Sequence, residues 1–260
     1  MRAEALAFEK ASQAYERGRP GYPADTVEWI VRTAGLGPGR TVVDLAAGTG
    51  KLTTELLACG AKVVAVEPLA EMRARLAERL EGAGEGVAAR AQVEIREGLA
   101  EDTGLEEASA DAVTVAQAFH WFANERALAE IARVLVDEGL MILVWNRRDL
   151  SDRIQSAISR LTAPFVGDTP SHKSNEWRAA VEADERFGPA GEHSARLEQV
   201  VDRQGLVDRV ASTSYIASLP DTVRLPLLDE VAALAGDGGD VRLPYLTTAY
   251  AYRRRRRDRR

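Results

Sequence analysis

The stretch Asp44-Leu45-Ala46-Ala47-Gly48-Thr49-Gly50-Lys51 sets an acid at the head of a small-residue turn with two glycines. Glycines two apart let a backbone come close to a ligand and take dihedrals that side chains forbid. The acid suits a ligand that carries a cation and would repel a pyrophosphate. A dinucleotide fingerprint would put its three small residues at Ala46, Gly48 and Lys51, and a lysine there blocks the helix–strand packing that the third position serves. The reading therefore turns away from NAD, with a plain strand–helix turn as the bland alternative. Glu67 lies 17 residues past Gly50, near the spacing at which an acid reaches ribose hydroxyls. A ribose-bearing ligand fits both acids.

Other residues offer chemistry in looser patterns. His120 stands between Phe119 and Trp121; its ordinary pKa of about 6.5 suits a general base, and its aromatic flanks equally suit packing. Tyr15 and Trp121 offer ring faces to a cation or glue to a hydrophobic cap. Arg17 and Arg19, in Arg17-Gly18-Arg19-Pro20-Gly21-Tyr22-Pro23, suit a ligand carboxylate, an acidic substrate or plain solvation. His172 and His193 have no ligand spacing around them, and Cys59 is the single cysteine. No metal site is expected.

These residues need elements to hold them. Residues 3–16 pattern as a helix, which the Gly–Pro run ends, and Ala24–Ala34 patterns as a second with Val27, Ile30 and Val31 inside. Thr41–Leu45 is a buried strand, Leu52–Cys59 a helix closed by Gly60, and Lys62–Glu67 a second strand. Leu69, Met72, Leu76 and Leu80 mark a helix. Gly82, Gly84 and Gly86 mark a loop before a third strand, Ala91–Ile95. Ala110–Gln117 is a fourth. Asn124 caps a helix with Leu128, Ile131 and Leu135 inside, and Glu138-Gly139 turns it into a fifth strand, Leu140–Asn146. Strands alternating with helices predict an α/β fold with a doubly wound, mostly parallel sheet. Its ligand should lie outside the strands' carboxyl ends, where Asp44, Glu67, Gln117 and Asn146 fall. Beyond 147 the pattern is looser. Helices are expected around Ile154–Leu161, Trp177–Val181 and Asp221–Ala235, with strands at Ala195–Val201 and Val241–Tyr252.

The chain of 260 residues, 45% hydrophobic, can bury a full core as one large domain. It has no run of about 18 apolar residues that would span a membrane. Glu4 and Glu9 interrupt the stretch where a signal peptide needs apolar residues, so a cytoplasmic protein is expected. The last eight residues, Arg253 to Arg260, carry a net +6 against −6 for the whole chain, leaving −12 for the other 252. That acidic body argues against a nucleic-acid partner, and the basic tail is expected to be a solvated end.

Several segments occur together in the order of one known family. They are Val43-Asp44-Leu45-Ala46-Ala47-Gly48-Thr49-Gly50, Val64-Ala65-Val66-Glu67-Pro68, Gly98-Leu99-Ala100-Glu101, and Asp111-Ala112-Val113 through Gln117-Ala118-Phe119-His120-Trp121-Phe122. With the opening Tyr15–Pro23 run, Ser214-Tyr215-Ile216 and Leu243-Pro244-Tyr245, they resemble the class I S-adenosylmethionine-dependent methyltransferases of type 11. Within these, they resemble the small-molecule branch around trans-aconitate methyltransferase. The resemblance implies a Rossmann-like seven-stranded sheet with one antiparallel member. It implies one methyltransferase domain over 1–260, with cap elements at 1–35 and 147–190 and the basic tail at 253–260.

It also implies roles. The turn Ala46, Gly48 and Gly50 would hold the methionine part of the donor, whose ammonium suits Asp44. Glu67 would take the ribose hydroxyls, Pro68 and Met72 would flank the adenine, and Ala100 and Glu101 would lie at its edge. Gln117 and Ala118 would lie near the sulfonium, with Tyr15, Arg17, Arg19 and Trp121 in the cap and His120 as the candidate catalytic group. Ala46 replaces a glycine common in the family. Leu99 stands where many relatives carry an acid for the adenine amino group, which leaves Glu101 as its substitute. The expected activity is methylation of a small-molecule acceptor, on oxygen. A non-catalytic donor-binding adaptor and a methyltransferase acting on RNA are the alternatives.

Overall fold

The computed structural model describes residues 18–82, 93–170, 174–236 and 238–256. The β-branched run Thr41–Leu45 forms β1, and its alternate side chains enter two different cores. Val43 and Leu45 belong to one, Val42 to the other, and all three are at most 1% exposed. A strand buried on both faces belongs in a parallel sheet covered by helices. Helix α1 (Ala24–Ala34) precedes β1, and α2 (Lys51–Leu56, continued by a 3-10 turn to Cys59) follows it. Next come β2 (Lys62–Val66), α3 (Ala70–Gly82), β3 (Val93–Arg96), β4 (Ala110–Ala116), α4 (Glu125–Val134) and β5 (Leu135–Arg148). The later elements are α5 (Arg153–Thr162), α6 (Glu176–Glu182), β6 (Phe187–Val201), α7 (Arg203–Ala211), α8 (Ser214–Ala217), α9 (Asp221–Ala233) and β7 (Val241–Arg254).

Among the described residues, seven strands make one sheet in the order β3-β2-β1-β4-β5-β7-β6, and β1 pairs in parallel with both β2 and β4. The chain runs outward from β1 to β3 and then returns to β4, so the order reverses between β1 and β4. A reversal of this kind opens a crevice at the strands' carboxyl ends. The expected Rossmann-like α/β architecture is therefore the observed one.

The chain divides into two compact units. The larger holds 22–145, 170–195 and 247–260, with two cores on the two faces of the sheet. The smaller holds 1–21, 146–169 and 196–246, with its own core of Ile158, Leu206, Val210, Ile216, Val231, Leu243 and Tyr245. Helices α1 and α6 lie in the larger unit, and 196–246 lies in the smaller.

Four local expectations change. Glu138-Gly139 is not a helix-to-strand turn but a bulge inside β5, which begins at Leu135 straight after α4. Glu138 takes a left-handed φ of 64°, and a Cβ on Gly139 would lie 2.9 Å from the Val136 carbonyl oxygen. Helix α7 was not expected, because Gly205 interrupts its pattern and polar Asp208 and Arg209 are buried with Leu206 and Val210. Strand β6 begins at Phe187 rather than Ala195.

The start of the basic tail is also no solvated end. Arg254 is 3% exposed in β7 and pairs with Asp137 at 2.5 Å, Arg253 donates to the Glu138 carbonyl, and the Arg255 amide donates to the Arg186 carbonyl. A charge-assisted hydrogen bond to Asp137 takes the place of water at this guanidinium. The helix expected over 3–16, the loop glycines 84 and 86, His172 and the last four residues lie outside the described residues.

Candidate active site

The turn after β1 is built on left-handed backbone. Ala46, Gly48 and Gly50 have φ of 55°, 58° and 78°. At Ala46 this costs about 1–2 kcal/mol, a strain that recurs at functional turns. The two glycines serve different ends. A Cβ on Gly50 would lie 2.8 Å from Leu76 Cγ, so this glycine lets α3 pack against the turn. A Cβ on Gly48 would meet nothing within 4 Å, so its missing side chain keeps a face of the turn open.

Of the two strand-end acids, Glu67 bonds the turn itself and Asp44 bonds its flanking elements. Glu67, 5% exposed, accepts from the Gly48 amide at 2.9 Å through Oε2 and from the Leu69 amide at 3.0 Å through Oε1. Each oxygen keeps a lone pair beyond those bonds. Asp44 is 1% exposed beneath the turn and accepts from Thr53 Oγ1 at 2.6 Å and Thr114 Oγ1 at 3.0 Å. Burial pushes its carboxyl up to about 6, against the lowering effect of the two hydroxyls, and the Glu67 charge adds a little to the rise. Arg79 donates to the Thr49 carbonyl at 2.9 Å, and Arg73 to the carbonyls of Glu67 and Pro68 at 2.8 Å each. Sequence reasoning missed these arginines and both threonines. Thr114 could only have been found from the register that sets it opposite Asp44.

At the end of β4, the Gln117 amide donates to the Val144 carbonyl, and Gln117 also has a left-handed φ, 63°. Ala118 follows and packs against the core, with Phe119 fully buried. His120 Nδ1 accepts from Trp145 Nε1 at 3.3 Å. That bond leaves the neutral ring's proton on Nε2. His120, Trp121, Pro170, Ser174, Glu176 and Trp177 line part of a cavity of about 210 Å³, and Trp121 is 49% exposed.

A second cavity of about 510 Å³ is lined by Leu99, Glu101, Asp102, Asn124, Glu125 and Arg126. Leu99 is 56% exposed there, and Glu101 Oε1 accepts from Asn124 Nδ2 at 2.9 Å. Ala100 is buried, Met72 is half-buried, and Pro68 is exposed beside the Glu67 carboxylate.

The structure thus bonds Glu67 directly to the Ala46–Gly50 turn and buries Asp44 at the strand end before it, held by Thr53 and Thr114. Asn146, expected on the same rim, lies in the smaller unit and donates to the Gly21 carbonyl. Arg19 also lies in the smaller unit, where it donates to the Ser212 carbonyl at 2.8 Å. Tyr15 and Arg17 lie outside the described residues. His193 stacks on Trp29, and among the described residues no group of acids, histidines or cysteines could hold a metal.

Comparison with known proteins bears on this geometry. The methyltransferase domain family matches residues 43–143, from β1 into β5. An uncharacterized methyltransferase of Mycobacterium tuberculosis is 39% identical over 249 residues, 93% of either chain. An uncharacterized methyltransferase-like protein of Schizosaccharomyces pombe is 31% identical over 244 residues, 91% of either chain. Among solved structures, a candidate type II methyltransferase from Anaeromyxobacter dehalogenans matches with a TM-score of 0.63 over 90% of this chain and 97% of its own. At 23% identity, that likeness concerns the fold.

Proposed function

We propose, from the premise that this chain belongs to the S-adenosylmethionine-dependent methyltransferases, that it methylates a small-molecule acceptor on oxygen. Membership makes the chain an enzyme and S-adenosylmethionine its donor. The residues present fit that donor. Gly48 leaves the turn open, Glu67 keeps two acceptor lone pairs beside it, and a negative charge lies below at Asp44. The observation that carries the reading is the Glu67 carboxylate bonded to the amide of the motif turn itself, since a group so fixed is pre-organised for a diol.

In this reading Ala46, Gly48 and Gly50 cradle the methionine part, and Asp44 favours its ammonium from beneath. Glu67 receives the ribose hydroxyls, Pro68 and Met72 flank the adenine, and Ala100 and Glu101 border it. Glu101 keeps Oε2 beyond its bond from Asn124. Gln117 and Ala118 lie towards the methyl. Tyr15, Arg17, Arg19 and Trp121 belong to the cap, which with 1–260 forms a single functional domain. The donor supplies a carbon already activated by positive sulfur. The chain's task is to hold an acceptor oxygen about 3 Å from that carbon, opposite the sulfur, and to keep water out. Bound there, the donor would supply the methyl, its C–S pair returning to sulfur as the acceptor oxygen's lone pair formed the C–O bond.

His120 does not act as the base here. Its Nδ1 is occupied by Trp145, which fixes the ring, and the ring's role in this reading is to orient the acceptor. A carboxylate acceptor needs no base, which agrees with the likeness of this chain's motifs to the trans-aconitate methyltransferase branch. No described helix is long and apolar enough to cross a membrane, and a small acceptor needs no such anchor. Turnover of labelled donor over a metabolite panel tests the proposal. Transfer to small carboxylic acids is expected; transfer to RNA alone would overturn it.

A further inference from the structure

The turn after β3 is held from two sides. Gly98 packs it onto the end of β2, where a Cβ would lie 2.8 Å from Val66 Cγ1 and 3.0 Å from the Thr103 carbonyl oxygen. Val66 directly precedes Glu67, whose amide donates to the Arg96 carbonyl at 3.0 Å. The turn therefore starts beside the acid that bonds the motif glycine. Two backbone bonds close it. The Leu99 amide donates to the Asp102 carbonyl at 3.0 Å, and the Asp102 amide to the Leu99 carbonyl at 3.2 Å. Ala100 and Glu101 form its tip, with Ala100 buried.

Helix α4 grips the same turn. Glu130, 9% exposed, accepts through Oε1 from the Thr103 amide at 2.9 Å and from the Thr103 hydroxyl at 2.6 Å. Arg133 donates to both Glu130 oxygens and to the Leu105 carbonyl. At the start of the helix, Asn124 makes two bonds at once. Its Oδ1 accepts from the Ala127 amide at 3.0 Å, which caps α4, and its Nδ2 donates to Glu101 Oε1 at 2.9 Å. A bond between two free surface side chains would hold neither in place. Here both are anchored: the cap sets the Asn124 side chain, and the Thr103–Glu130 bonds set the turn that carries Glu101. Glu101 keeps Oε2 as an acceptor, and with Leu99 and Asn124 it lines the cavity of about 510 Å³. Glu101, Asp102 and Glu125 outnumber Arg126 in that lining. It disfavours a phosphate and suits a neutral ring that presents an N–H donor.

We infer that Asn124 is a positioning residue, holding Glu101 so that Oε2 accepts from the exocyclic amino group of the donor's adenine and sets the donor's base specificity. The inference rests on the placement of the adenine edge at Ala100 and Glu101. Hypoxanthine carries a carbonyl oxygen where adenine carries that amino group, and two acceptors would then face each other.

The test is calorimetry of the full chain with S-adenosylhomocysteine and its hypoxanthine counterpart S-inosylhomocysteine, with melting of the unliganded chain alongside. Wild type is expected to bind the adenosyl compound about a hundredfold more tightly. Glu101→Ala should lose about ten- to a hundredfold of that affinity, and most of the preference with it. Asn124→Ser keeps a cap as good as asparagine, so its melting temperature should match wild type. It loses the donor to Glu101 and should lose roughly three- to tenfold in adenosyl affinity, with little change for the inosyl compound. Asn124→Asp also caps, but sets a second carboxylate against Glu101 and should lose more. Added to Glu101→Ala, Asn124→Ser should cost nothing further, because it acts through that carboxylate. A merely structural asparagine would weaken both compounds alike. An unchanged preference in Asn124→Ser, or an additive double variant, would overturn the positioning role. Equal binding of both compounds by wild type would overturn the base reading and leave the donor in place. Binding of neither would remove the donor reading too, which separates the two failures.

Discussion

The donor rim of the larger unit and the Arg209–Tyr245 contact of the smaller one treat buried charge in opposite ways. Asp44 and Glu67 are both nearly inaccessible, and every carboxylate oxygen already has a donor from the chain: Thr53, Thr114, Gly48 and Leu69. Arg209, 8% exposed, bonds the Tyr245 hydroxyl and, among the described residues, forms no ion pair. The first site is complete before its ligand arrives, so its acids fix backbone geometry and keep spare lone pairs. The difference lies in what balances buried charge: hydrogen bonds to both oxygens of each acid in the first region, and a single phenol hydroxyl in the second.

The largest effect that would break this comparison is the pH response of Asp44. Its folded pKa is about 6 against 3.8 unfolded, so between those values the folded chain holds a proton that the unfolded chain has released. Stability therefore falls as pH rises from about 4 to 6, by on the order of 3 kcal/mol. Glu130, held down to about 2 by Arg133 and Thr103 against its burial, works in the other direction below about 4.5. The quantity to measure is thus the difference between wild type and Asp44→Asn in urea melts across pH 4–7. If that difference is flat, Asp44 is not the buried, charge-strained group described. If the donor's ammonium feels this carboxylate, donor affinity in wild type should also rise with pH through about 6, with protons released on binding below it.

Next in size is Glu67→Ala. Loss of charged hydrogen bonds to ribose should cost about 1.5–3 kcal/mol, or ten- to a hundredfold in donor affinity. Unchanged affinity by calorimetry would mean that Glu67 serves the turn alone. Smaller still is His120→Ala. With Nδ1 held by Trp145, the rate should fall by less than the hundredfold or more typical of losing a general base. No limb near neutral pH should appear in a profile at saturating donor. A limb present in wild type and absent in the variant would make His120 a base after all.

The smallest effect is expected from removing residues 257–260, which follow the Arg254–Asp137 pair. Turnover and melting temperature should not change. By contrast, Arg254→Ala should lower stability by about 1–2 kcal/mol, since Asp137 is half exposed and regains water when its partner goes. A truncation that costs as much as Arg254→Ala would show that the basic end contributes beyond β7.

By itself the sequence determined the strand–turn–helix at 41–59, the parallel alternation through β5 and the two acids at strand ends. All of these rest on local periodicity, on glycine's conformational freedom and on spacing along one segment. The Asn124 cap was legible for the same reason: its side chain bonds the amide of Ala127, three residues on. What only the tertiary structure decided depends on partners far apart in the chain. Register sets Thr114 opposite Asp44. The β5 bulge at Glu138 follows from where Asp111 and Val136 stand around Gly139, and Arg254 became structural because Asp137 was there to meet it. Helix α7 was hidden because its inward face carries Asp208 and Arg209 beside Leu206 and Val210, so no apolar period could announce it. Arg209 and Tyr245 lie 36 positions apart, and no propensity reports that a buried guanidinium will meet that phenol.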